Sequence, residues 1–159
     1  MAKPTIYVET SVWSHVFAED APERRQQTLE FLDLADEGAF ELFISNVVIE
    51  EISRAPEELA EKLARRIEKS RPTLLELGED AAHLAQRFMD LGAVPPSKGD
   101  DARHVAVATV NDLDILVSWN YRHLVNVRRK EIFQHISAMA GYYKPLHIVT
   151  PPEVAYERE

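Results

Sequence analysis

Thr5-Ile6-Tyr7-Val8-Glu9-Thr10-Ser11 is the stretch that decides how this chain is read. Ile6 to Val8 is a short β-rich run without charge, and it meets a carboxylate, Glu9, followed by two hydroxyl residues suited to capping a helix at Val12-Trp13-Ser14. The strand therefore ends on an acid. In an open parallel α/β sheet, ligands bind outside the carboxyl ends of the strands, so Glu9 would stand on the edge where chemistry is usually placed. By position alone Glu9 is equally a turn residue. What separates the two readings is whether later segments deliver more acids to the same edge.

Working outward, the same pattern returns. Phe40-Glu41-Leu42-Phe43-Ile44 alternates as a strand, Ser45-Asn46 suits a helix cap, and Glu51 sits one turn into the helix that begins at Val47. Asp114-Ile115-Leu116-Val117-Ser118 reads as a later strand that runs into Trp119-Asn120-Tyr121-Arg122-His123-Leu124. Gly92 to Gly99, with Pro95 and Pro96 adjacent, is a loop that ends in Asp100-Asp101 and opens a helix through Val110. Capping would explain one of these two aspartates, and a pair is more than a cap requires.

The remaining segments fill in the alternation. Pro22 starts a helix that Gly38 ends, and Leu59, Leu63 and Ile67 mark an amphipathic helix closing near Ser70. Thr73 to Leu77 is a strand, followed by a helix with Ala81, Leu84, Ala85, Phe88 and Leu91 on one face. Ile132, Phe133, Ile136 and Met139 form another helix face, and His147 to Thr150 is a last short strand before Pro151-Pro152. Strands alternating with helices predict a three-layer α/β/α sandwich around a mainly parallel, roughly five-stranded sheet.

Composition narrows the function classes. With 159 residues, 45% hydrophobic and 28% charged, residues 1–159 are expected to form a single domain. The absence of Cys excludes disulfides and thiolate metal sites. No apolar run reaches the roughly 20 residues a membrane helix needs, and the expectation is a soluble, cytoplasmic protein. Eighteen Lys and Arg against 27 Asp and Glu leave a net charge of −9, which argues against non-specific nucleic-acid binding by broad electrostatics. It does not exclude a nuclease, because a cation held by carboxylates reverses the sign of the field locally.

Glu9, Glu51, Asp101 and Asn120 thus fall at or near one edge of the expected sheet. Grouped carboxylates repel one another and are costly to desolvate, so they need protons or a cation. Mg²⁺ or Mn²⁺, which prefer oxygen ligands and can activate water against a phosphodiester, would resolve the conflict.

These segments, Tyr7 to Ser11, Ile44 to Ile52, Asp101 to Ala108 and Ile115 to Asn120, resemble the PIN domain family, the fold of VapC-type toxin ribonucleases. The resemblance implies a divalent-metal-dependent endoribonuclease that is the toxin of a toxin–antitoxin pair. It also implies an RNA substrate, a cognate antitoxin and a homodimer as partners. The family's acids carry over to Glu9, Glu51, Asp101 and Asn120 as catalytic residues and metal ligands. Two depart from the family's usual Asp: Glu9 is longer by one carbon, which displaces the ligand oxygen by roughly 1.5 Å, and Asn120 offers an oxygen without charge. The alternative is a catalytically weak PIN-fold binding module that works through a protein partner.

Neighbouring residues have two readings each. Ser11 and Thr10 suit helix caps, yet a hydroxyl beside Glu9 could also orient a carboxylate or touch phosphate. Asp100 is a cap more readily than a second ligand, and His104 is a packed or supporting histidine more readily than a ligand. Arg122 and His123 suit either a phosphate contact or the ordinary surface. Trp13 and Trp119 read as core or rim aromatics. The basic cluster of Arg65, Arg66, Lys69 and Arg71 reads first as a solvated helix face. Other doubly wound families fail on residues: a receiver domain wants an aspartate where Leu77-Gly78-Glu79 stands, and a haloacid-dehalogenase-type phosphatase wants Asp-x-Asp in place of Glu9-Thr10-Ser11.

Overall fold

Ile6, Tyr7 and Val8 have no exposed surface, as a strand covered on both faces requires. This strand, β1 (Thr5–Val8), is the centre of an all-parallel five-stranded sheet in a computed structural model that describes residues 2–156, with side chains through Val154. Its companions are β2 (Glu41–Ser45), β3 (Thr73–Leu75), β4 (Ile115–Val117) and β5 (His147–Val149), in the order β3-β2-β1-β4-β5.

The helices are α1 (Thr10–His15), α2 (Pro22–Asp36), α3 (Asn46–Ser53), α4 (Glu57–Ser70), α5 (Glu79–Asp90), α6 (Gly99–Val110), α7 (Val127–Met139) and α8 (Pro151–Tyr156). One group packs together from α1 to α4 with α8 against α2, and another joins α5 to α6 and α7. Two groups are what a sheet whose strand order reverses demands. The connections after β1 and β2 step outward in one direction, whereas the connection after β3 returns past both strands to place β4 on the other side of β1. Right-handed crossovers running in opposite directions put their helices on opposite faces. The reversal lies between β1 and β4, and in such sheets that is where the carboxyl ends open a crevice.

The predicted sandwich with a mainly parallel sheet is thus the observed one, and every strand pairing is parallel. Gly38, at φ 93°, occupies the left-handed turn that ends α2. The sequence pattern did not reveal the short 3-10 turn Pro96–Lys98 or α8, whose paired prolines open a helix because a first-turn N–H needs no partner. Arg65 is exposed and pairs with Glu61, as a solvated helix face requires, whereas the Arg66 side chain is largely covered and held by Asp36 and Ser70.

The loop after β4 is pinned from beneath. Thr28 is fully buried, accepts the Trp119 indole N–H at 2.8 Å and donates to the Arg24 carbonyl at 2.7 Å. Thr28→Val keeps the shape but strands the indole N–H, so urea unfolding is expected to show a loss of about 1–2 kcal/mol.

Candidate metal centre

Val8 pairs with Val117, so the residues that follow, Glu9 and Ser118, meet side by side at the reversal point. Glu9 is 4% exposed and is itself the N-cap of α1: its carboxylate folds back to accept the Ser11 N–H at 3.0 Å. The expected capping by Thr10 and Ser11 is therefore corrected. With the first turn of α1 capped by Glu9, both hydroxyls are free to serve carboxylates instead. Ser11 donates to Glu9 Oε1 at 2.6 Å, Ser118 donates to the same oxygen at 2.5 Å, and Thr10 donates to Glu51 Oε1 at 2.7 Å.

Glu51 reaches this point from α3, and His104 from α6. His104 is fully buried and hydrogen-bonds Glu51 Oε1 through Nε2 and the Tyr7 hydroxyl through Nδ1, the latter at 2.6 Å. Ligand-capable atoms of Glu9, Glu51 and His104 lie within 4.8 Å of one another. His104 could serve as a ligand only by giving up Glu51, because its other nitrogen is held by Tyr7. Burial works to raise the Glu51 pKa, but the His104 hydrogen bond and charge and the Thr10 hydroxyl outweigh it and hold the group below its ordinary value. Burial would lower the His104 pKa, and the bond to Glu51 with the charges of Glu9, Glu51 and Asp101 raises it instead.

Asp101 stands in the first turn of α6 outside that tight trio, yet it is electrostatically part of it. Burial, then the charge of Glu9 and, more weakly, of Glu51 push its pKa up to about 6, against the opposing pull of His104 and Asn120. Asn120 donates from Nδ2 to Asp101 Oδ2 at 3.2 Å, while its own Oδ1 accepts the His123 N–H at 3.0 Å. The amide side chain is thus oriented with its nitrogen, not its oxygen, toward the acids.

Asp100 is corrected as well. The first turn of α6 has no side-chain cap, and Asp100 instead binds Arg54 and Arg103, each at 2.9 Å. Two guanidinium groups offer more than a cap amide does, and they hold the Asp100 pKa below its ordinary value despite burial. Arg122 is exposed. His123 is buried, and its Nδ1 is without a hydrogen-bond partner among the described residues. Its pKa is lowered by burial and by the nearby charges of Arg129, Arg122 and Lys98, so a basic rim flanks the acids on the Asn120 side. Trp13 is wholly buried with its indole N–H on the Val8 carbonyl, and Trp119 is 5% exposed, so both are packing residues, with Arg24 lying over the Trp119 ring.

Sequence reasoning passed over Tyr7 and Ser118, and it gave Ser45 only the helix cap that Ser45 does provide at the start of α3. A signal was present for the first: a tyrosine in a fully buried strand needs a partner for its hydroxyl. No pattern in the sequence paired it with a histidine nearly a hundred residues away.

The PIN domain model matches residues 6–130. The chain belongs to the PIN domain family. Its sheet also superposes on solved structures at low identity, which bears on the fold alone. VapC20 from Mycobacterium tuberculosis, a sarcin-ricin loop cleaving toxin, is 17% identical, with 86% of this chain and 95% of that chain covered at a TM-score of 0.58. VapBC2 from Rickettsia felis, solved on a DNA fragment from its promoter, is 16% identical, with 74% and 89% covered at 0.51. No curated protein matches this PIN domain in sequence. Among the described residues, no helix of the PIN domain is long and apolar enough to cross a membrane.

Proposed function

We propose that this PIN domain is a divalent-metal-dependent endoribonuclease and the toxin of a toxin–antitoxin pair. One observation carries the reading: acids from the end of β1, from α3 and from α6 converge at the strand-order reversal, where burial first and then the charges of Glu9 and Glu51 raise Asp101 to about 6. Buried carboxylates gathered in this way repel one another, and a hard cation relieves the repulsion. With both His104 nitrogens held by Glu51 and Tyr7, the donors left to an ion are carboxylate oxygens, which suits Mg²⁺ or Mn²⁺. Glu9, Glu51 and Asp101 would hold the ion, with Asn120 steadying Asp101.

When bound, such an ion lowers the pKa of a water and neutralises charge on a phosphate. The chain's own residues supply the rest. Ser11 and Ser118 fix the Glu9 carboxylate, and Thr10 with His104 fixes Glu51. Lys98, Arg122 and Arg129 provide positive charge beside an acidic centre, as a phosphodiester backbone entering the site requires. The proposal takes added support from VapC20, a sarcin-ricin loop cleaving toxin, and from VapBC2, solved on a promoter DNA fragment, whose folds resemble that of this chain. It includes a cognate antitoxin, a homodimer and action in the cytoplasm, where the RNA is.

Purified protein free of antitoxin, given single-stranded and structured RNA with Mn²⁺, is expected to cut internally, and EDTA to abolish the cutting. Intact RNA in Mn²⁺, together with a stable complex with a co-expressed small protein from an adjacent reading frame, would instead establish the binding-module reading. Sedimentation of the free chain as a monomer would remove the homodimer.

A further inference from the structure

Tyr7 is the largest polar side chain wholly enclosed in the core beside Trp13, and a phenylalanine would fill the same space without a hydroxyl to desolvate. Its hydroxyl lies 2.7 Å from Ser45 Oγ and 2.6 Å from His104 Nδ1. Ser45 Oγ in turn accepts the Val47 N–H at the start of α3, at 3.1 Å. On the far side, His104 Nε2 meets Glu51 Oε1. A continuous buried chain of hydrogen bonds therefore runs from the first turn of α3, through two side chains on the sheet and one on α6, back to Glu51 one turn further along α3.

We propose that Tyr7 and His104 are positioning residues that aim Glu51 at the cation; the proposal rests on the reading of Glu51 as a ligand. The Tyr7 hydroxyl is what orients the imidazole. Turning the ring over would place carbon atoms against both Tyr7 and Glu51, and two buried hydrogen bonds would be lost. In the observed orientation Nε2 faces Glu51 Oε1 far more closely than the Thr10 hydroxyl at 3.5 Å, and a proton on Nε2 is donated to that carboxylate. Both hydrogen bonds recorded for Glu51, from Thr10 and from His104, fall on Oε1. Oε2 is then the oxygen offered to an ion, so Glu51 binds through one atom in a fixed direction, the arrangement a small octahedral cation prefers. Groups that orient a ligand from behind in this way typically account for about 10–100-fold in metal affinity or activity.

The test is Mn²⁺ titration by calorimetry on the full chain, with the circular dichroism and melting of each variant recorded. Glutamine places its amide nitrogen near the position of Nε2, and asparagine places its own near Nδ1. His104→Gln thus keeps the donor to Glu51 and is expected to bind Mn²⁺ within about 3-fold of the parent. His104→Asn keeps the contact to Tyr7 but loses Glu51, and is expected to bind about 10–100-fold more weakly. Tyr7→Phe, which preserves packing, is expected to weaken binding about 10-fold, with its RNA cleavage rate recovered at saturating Mn²⁺. Equal affinity in the parent, Tyr7→Phe and His104→Asn, alongside abolished binding in Glu51→Gln, would overturn the positioning role while leaving the metal site standing. A parent that binds no Mn²⁺ would overturn the metal reading and this one with it.

Discussion

Asp101→Asn is expected to cut Mn²⁺-dependent RNA cleavage about 10³-fold, a loss of about 4 kcal/mol of transition-state stabilisation, and at the same time to make the metal-free protein more stable. The two effects share one cause. In the fold Asp101 is half-buried beside Glu9 and Glu51, and its pKa rises to about 6. In the unfolded chain an aspartate titrates near 3.9. Between those values the native state holds a proton that the unfolded state has released, so stability falls as pH rises from about 4 to about 6 and stays lower above. Two pKa units correspond to roughly 2.7 kcal/mol, and partial solvent access reduces this to about 2 kcal/mol. Melting in EDTA at pH 7.5 is expected to place Asp101→Asn about 4–8 °C above the parent, and the two are expected to converge at pH 4. Equal melting at both pH values would mean that Asp101 does not feel the other acids. Undiminished cleavage would mean that the site lies elsewhere.

Asn120→Asp reverses the signs. The Asn120 amide now donates to Asp101 Oδ2, and aspartate in its place would set a second anion against it while still accepting the His123 N–H. In EDTA this repulsion is expected to lower stability by about 2 kcal/mol. With Mn²⁺ the added charge is expected to tighten binding about tenfold, since an ion neutralises both carboxylates, and the melting shift produced by the metal should grow accordingly. Calorimetric affinity no better than the parent's would place Asn120 off the cation's side of the site and give the neutral amide a purely architectural role in the turn after β4.

The local rules reached far along this chain. Uncharged β-rich runs at Ile6–Val8, Leu42–Ile44 and Ile115–Val117 became central parallel strands, because only aliphatic and aromatic side chains can line a strand covered on both faces. The amphipathic spacing of Leu63 and Ile67, and of Ala81, Leu84, Ala85 and Phe88, became buried helix faces for the same reason. The errors were local too. Thr10, Ser11 and Asp100 have the chemistry of helix caps, and each was drawn instead to a group distant in sequence: Thr10 to Glu51, Ser11 to the Trp119 N–H as well as to Glu9, and Asp100 to Arg54. A cap bond contributes about 1 kcal/mol, and a charged partner offered by the fold outweighs it.

From its sequence alone this chain fixed its alternation of strands and helices and the carboxylates at the strand and helix ends, because hydrophobic period and side-chain chemistry act over a few residues. Only the tertiary structure decided that Glu9 meets Ser118 across the β1–β4 reversal, that Asp101 carries the field of two other acids, and that Tyr7 holds His104 against Glu51. Those relations join residues roughly fifty to a hundred and ten positions apart. They depend on strand order and on buried hydrogen bonds, which no local pattern encodes.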